Sequence, residues 1–298
     1  MTTITAFIKS YPPLGFFAMA FAISWGTILL AVGSGPGGFS ATPQQFRMTA
    51  PYAAIPAMLL GPSVAGILLT GLVDGRAGFR EFRSRLLKWR VGARWYAVAL
   101  LTAPLSVTAA LLALSLISPD YLPGIFTSDE KVPIVLMGIA VGLIVGIFEE
   151  LGWTGFAIPR MRLRHGVLGT GFIVGVLWGA WHLLQGYWAS GVTSGELSLA
   201  LWLSTWLTGT LVGSLVAYRV LMVWVYEHTN GSLLVAMLMH ASLAASQIIL
   251  IPLVWSGVAS IMIGFAYAAA LWIVVALVAL ANHGYLSRQP PLPRRRMA

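Results

Sequence analysis

Four side chains able to hold or move protons lie inside apolar stretches of this sequence. They are the adjacent carboxylates Glu149 and Glu150 in GIFEELGWTGFAIPR, His182 in VLWGAWHLLQ and His240 in VAMLMHASLA. A charged side chain at the centre of a membrane span is disfavoured by about 2.5 to 3.5 kcal/mol on insertion scales, so such groups face a bundle interior and have partners. Two carboxylates and two imidazoles on three segments can bind a divalent metal, relay protons or activate a water. Each also has a plainer reading, a glutamate bracing helices or a histidine packed beside Trp178 and Trp181. The other histidines, His165, His228 and His283, fall in or beside connections.

The elements that must position these groups are membrane spans. Of the 298 residues, 58% are hydrophobic and 9% charged, and the mean hydropathy is +0.84, far from a soluble domain. Apolar runs of spanning length lie at roughly 14–33, 51–73, 95–118, 133–157, 167–189, 197–226, 231–252 and 256–281. Unpaired backbone groups are excluded from hydrocarbon, so the runs are helices. The expected fold is an all-α polytopic bundle of about eight transmembrane helices with an interior polar site. It forms one membrane-embedded domain, 1–298, with a basic tail at 284–298. Pro104 and Gly142 mark kinks or close packing. The first run is long enough to be an uncleaved span rather than a signal peptide.

The net charge of +9 sits in short connections beside the spans, which points to topology and lipid headgroups and not to nucleic acid. The second connection holds Arg76, Arg80, Arg83, Arg85, Lys88, Arg90 and Arg94, the fourth Arg160, Arg162 and Arg164, and the tail Arg288 and Arg294 to Arg296. The other side holds Arg47 and Lys131 with Asp120, Asp129, Glu130 and Glu196. The positive-inside rule therefore places both termini in the cytoplasm. With no cysteine, a thiol nucleophile and thiolate metal sites are excluded. Neither a G-x-S-x-G elbow, H-E-x-x-H, a phosphate-binding G-x-x-x-x-G-K-[ST] loop nor a dinucleotide G-x-G-x-x-G occurs.

Three ordered stretches resemble the CPBP intramembrane proteases, the family of type II CAAX prenyl-protein endopeptidases and bacteriocin-processing or immunity relatives. EELGWTGFAIPRMRLRHG is similar to its first motif, WGAWH to its second and WVYEHTNGSLLVAMLMHAS to its third, within a core at about 142–246. The resemblance implies an endopeptidase that hydrolyses a membrane-associated or lipidated peptide. It makes Glu149 the base that activates water with His182, Glu150 a support, and His240 the group that stabilises the oxyanion. If zinc is present, its ligands would be Glu149, His182 and His240; no cofactor is certain. Trp153, Trp178 and Arg219 are candidate substrate-binding side chains.

Two positions depart from the family pattern: Thr154 replaces an arginine and Ala244 an asparagine. Arg219 could supply the missing cation, although an interfacial snorkelling arginine is the favoured expectation. Ser242 or Gln247 could stand in for the asparagine. The departures keep open a catalytically impaired scaffold or immunity-like binding protein, and the buried carboxylates keep open a proton-coupled transporter. Along straight spans at about 1.5 Å per residue, His182 and Glu149 differ in height by on the order of 14 Å, so a kink or shifted boundary must bring them together.

Overall fold

Long apolar segments have one local way to pair their backbone in hydrocarbon, and in the computed structural model they all adopt it. Residues 3–50, 52, 54–251, 257–283 and 286–287 are described, and no strand occurs among them. The short helix α1 (Thr3–Ser10) leads into α2 (Pro12–Gly33), followed by α3 (Pro43–Thr49), α4 (Ala54–Leu86) and α5 (Ala93–Ser115). Beyond α6 (Gly124–Thr127), α7 (Lys131–Gly152) passes through a π-helical turn, Trp153–Ala157, into α8 (Ile158–Arg162). The pair α9 (Val167–Trp181) and α10 (Leu183–Ala189) is bent by 46°. Next, α11 (Leu199–Thr205) runs through a π-helical stretch, Trp206–Leu215, into α12 (Val216–His228), and α13 (Leu233–Leu250) and α14 (Gly257–Ala281) complete the order.

Among the described residues, 7 helical runs are long and apolar enough to cross a membrane, and the bent α9–α10 pair makes 8. The protein is an integral multi-pass membrane protein. One expectation needs correction. Arg76, Arg80, Arg83 and Arg85 are not in a loop but on the continuation of α4, beyond a kink at Gly75. Gly75 has φ 59°, a left-handed conformation that a side chain disfavours. Arg288 and Arg294 to Arg296 of the tail lie outside the described residues.

Two glycine stripes draw the site-bearing helices together. Gly138, Gly142 and Gly146 of α7 face α13. A Cβ on Gly142 would stand 2.5 Å from the carbonyl oxygen of Ala241, and one on Gly146 2.5 Å from that of Met237. Gly171, Gly175 and Gly179 of α9 face the π-helical stretch and α12; a Cβ on Gly175 would lie 2.7 Å from Val216 Cα. Small residues at four-residue spacing allow this backbone approach, the main route to helix association where lipid removes the hydrophobic drive. The α7 stripe continues along its face to Glu150, which is why that carboxylate arrives at α13.

Candidate active site

The Glu150 side chain is fully buried and fully bonded. Arg219 Nη1 donates to its two oxygens at 2.8 and 3.0 Å, His240 Nδ1 donates to Oε1 at 2.7 Å, and Thr154 Oγ1 donates to Oε2. Arg219 is 0% exposed, so it does not snorkel to the interface as expected; it is the cation that Thr154 does not supply. Its guanidinium also lies 4.2 Å from the ring centroid of Trp178, a favourable cation–π geometry. The π-helical stretch ahead of α12 and the α9 stripe carry Arg219 inward, which no count of residues along a straight span foretells.

Glu149 is held differently. The indole N–H groups of Trp178 and Trp153 donate to its Oε2 at 2.8 and 3.2 Å, and His240 Nε2 stands 3.8 Å from the same oxygen. Its Oε1 has no hydrogen bond within the described protein. Trp178 also joins Glu149 to His182, because its carbonyl accepts from His182 Nδ1 at 2.9 Å. A carbonyl can only accept, so His182 carries a proton on Nδ1, and its neutral form presents a lone pair at Nε2. The helix break after Trp181 resolves the expected height difference: Glu149, His182 and His240 line one cavity of about 420 Å³.

Trp153 and Arg219, read from sequence as substrate contacts, are 0% exposed and serve Glu149 and Glu150 instead. Trp178 does line the cavity. Ser242 is committed elsewhere, donating to the Leu100 carbonyl at 2.7 Å. Gln247, by contrast, lines the cavity with Ala244. Gln185 and Thr210 also line it and escaped the sequence reading. Gln185 follows His182 by three residues, a helical spacing that was available as a signal.

Arginines read as topology markers brace the turn behind the carboxylates. Arg85 Nη2 donates to the Gly155 carbonyl at 2.9 Å and Nη1 to the Tyr226 hydroxyl at 3.1 Å, while Arg160 Nη1 donates to the Phe156 carbonyl at 2.8 Å. A π-helical turn disturbs the regular backbone ladder, and these cations satisfy two of its carbonyls.

A zinc ion does not fit the residues in this arrangement. Among the described residues no group of three or more His, Asp or Glu side chains converges to hold a metal.

The bundle and its interior carboxylate–imidazole cluster define an intramembrane protein with a polar interior site. Residues 131–246 match the family model described as type II CAAX prenyl endopeptidase, Rce1-like, which spans Glu149, Glu150, His182, Arg219 and His240. The match bears out the CPBP resemblance carried by the three motifs. No curated protein compared with the chain matches it.

Proposed function

We propose that this protein is an intramembrane endopeptidase that cleaves a prenylated or otherwise lipidated peptide by direct attack of water. One observation carries the reading: Glu149, His182 and His240 meet in a single cavity whose polar groups are oriented by Trp178, Trp153 and Glu150. Glu149 Oε1 takes the water proton, and His182 Nε2 accepts a second hydrogen bond from the same water and so orients it. Glu150, Arg219 and Thr154 hold the His240 ring. When His240 carries both protons, it presents positive charge to the developing oxyanion. The low-water interior strengthens each of these electrostatic effects.

An apolar groove of about 340 Å³ adjoins the cavity, sharing Ile55, Leu59, Val141 and Val145 with it. Leu60, Ile144 and Phe148 on its rim are exposed. A lipid-bearing peptide entering sideways from the bilayer suits this layout. The clustering of arginines along the end of α4 and α8 supports a cytoplasmic location for that face and for both termini.

A non-catalytic binding role is favoured by one remaining departure, Ala244; the Thr154 departure loses its force because Arg219 replaces the cation. The deciding experiment uses the full chain in liposomes with a quenched fluorescent peptide ending in farnesylated cysteine followed by Val-Ile-Met. Cleavage after the cysteine by wild type, abolished in Glu149→Gln with unchanged helicity and elution volume, supports the endopeptidase. Equal rates in the two proteins would overturn it.

A further inference from the structure

As described, the site has acceptors in excess and donors in deficit. Glu149 Oε1 and His182 Nε2 are acceptors, and a neutral His240 is one too, because its Nδ1 proton is spent on Glu150. The indole N–H groups of Trp153 and Trp178 are spent on Glu149. Trp181 and Trp206 also line the cavity, but their indole N–H groups are enclosed by protein without a partner. A peptide carbonyl that becomes an oxyanion needs donors aimed at its oxygen. The cavity offers the carboxamides of Gln185 and Gln247 and the hydroxyl of Thr210.

Position separates these three, for only Gln247 shares a helix with His240. Gln185 lies on α10, three residues past His182. Gln247 is on α13, seven residues past His240, and Ala244 lies between them as the third cavity-lining member of that face. Alanine at that middle position leaves the longer glutamine room to lie back along the helix toward His240. The Gln247 side chain makes no hydrogen bond within the described protein, so its N–H groups are uncommitted.

We propose that the Gln247 carboxamide is a catalytic residue, the donor that stabilises the oxyanion of the scissile peptide. This rests on the hydrolytic reading and supplies a second donor beside the protonated His240 of that reading. As water adds to the carbonyl carbon, its proton passes to Glu149 and the carbonyl π electrons move to the oxygen, which accepts the Gln247 N–H. When the tetrahedral species collapses, the C–N bond breaks and Glu149 returns the proton to the departing amine. Water and peptide bond thereby become a carboxyl group and an amine, with no other reactant.

The test measures turnover of the farnesylated reporter and binding of two uncleavable farnesylated peptides. One carries a phosphonate in place of the scissile amide, with a P–O⁻ at the oxyanion position; the other carries a reduced CH2–NH link with no oxygen there. Gln247→Ala should lower kcat by roughly 100- to 1000-fold, the loss seen for one oxyanion donor, with KM within about threefold. It should weaken the phosphonate by a comparable factor and leave the reduced-link peptide unchanged. Retention of kcat within about threefold, or equal weakening of both peptides, would overturn the proposal. If wild type cleaves nothing, the hydrolytic reading falls, while the contrast between the two peptides still decides whether Gln247 binds an oxyanion.

Discussion

Removing Arg219 should unfold the centre of this protein more than removing its partner with it. Both Arg219 and Glu150 are 0% exposed, and Arg219 Nη1 reaches both carboxylate oxygens at 2.8 and 3.0 Å. At 2.8 Å an effective dielectric of about 20 gives an attraction of about 6 kcal/mol, most of it offset by desolvation. Breaking such a pair from one side costs about 3–5 kcal/mol, because a buried charge is left alone. Two opposing details place Arg219→Met near the low end. The carboxylate keeps His240 and Thr154 as donors. The substitution also eliminates Arg219 Nε and Nη2, which are buried without partners at a penalty of about 1–3 kcal/mol each. The expected loss is therefore about 3 kcal/mol, read by unfolding the full chain in mixed micelles of dodecylmaltoside and SDS and following helicity. In Glu150→Gln/Arg219→Met both charges are gone, and the loss should fall below about 1 kcal/mol, since a buried pair exchanged for neutral groups is often nearly neutral. A single variant costing less than about 1 kcal/mol, or a double variant costing the sum of the singles, would refute the reasoning.

Other outcomes follow from the same geometry. Gly146→Ala sets a methyl group 2.5 Å from the Met237 carbonyl oxygen and 2.7 Å from Ala241 N, so α7 and α13 must separate; a loss of about 1–3 kcal/mol should come with a fall in kcat, because Glu150 and His240 ride on those helices. Trp178→Phe keeps the ring over Arg219 but deletes the 2.8 Å donor to Glu149; a charged acceptor losing such a bond costs about 1.5–3 kcal/mol, and kcat for the farnesylated reporter should fall at least tenfold with little change in KM. Arg85→Met leaves the Gly155 carbonyl without its 2.9 Å donor and should lower stability by about 1–3 kcal/mol in the same micelle titration, whereas Arg83→Met, at an exposed position of the same helix, should change it by less than about 0.5 kcal/mol.

Hydropathy alone made the spans legible, because a segment of about twenty apolar residues has few other fates. Glu149, Glu150, His182 and His240 were legible for the converse reason, as ionisable groups where lipid disfavours them. What escaped depends on how helices depart from straight, regular rods. Arg219 was expected at the interface from its place near the inner end of a straight sixth span, and the ten-residue π-helical stretch Trp206–Leu215 makes that span irregular. His182 read as too far from Glu149 for the same reason, until the bend after Trp181 is included. The stripes Gly138–Gly142–Gly146 and Gly171–Gly175–Gly179 were in plain view at four-residue spacing, and of these only Gly142 was read, as a kink or close-packing position. The basic run from Arg76 to Arg85 carries the charge of a connection but folds as helix, since charge decides which side a segment occupies and not its backbone conformation.

In the proposed mechanism water, not a side chain, attacks the peptide. A single turnover of the farnesylated reporter in H2¹⁸O, with wild-type protein in excess, tests this by mass spectrometry of both the product and the peptide containing Glu149. Direct attack puts one ¹⁸O in the new carboxylate of the farnesylated cysteine and none in Glu149. Label in the Glu149 side chain would reveal an acyl intermediate on that carboxylate and contradict its role as a base.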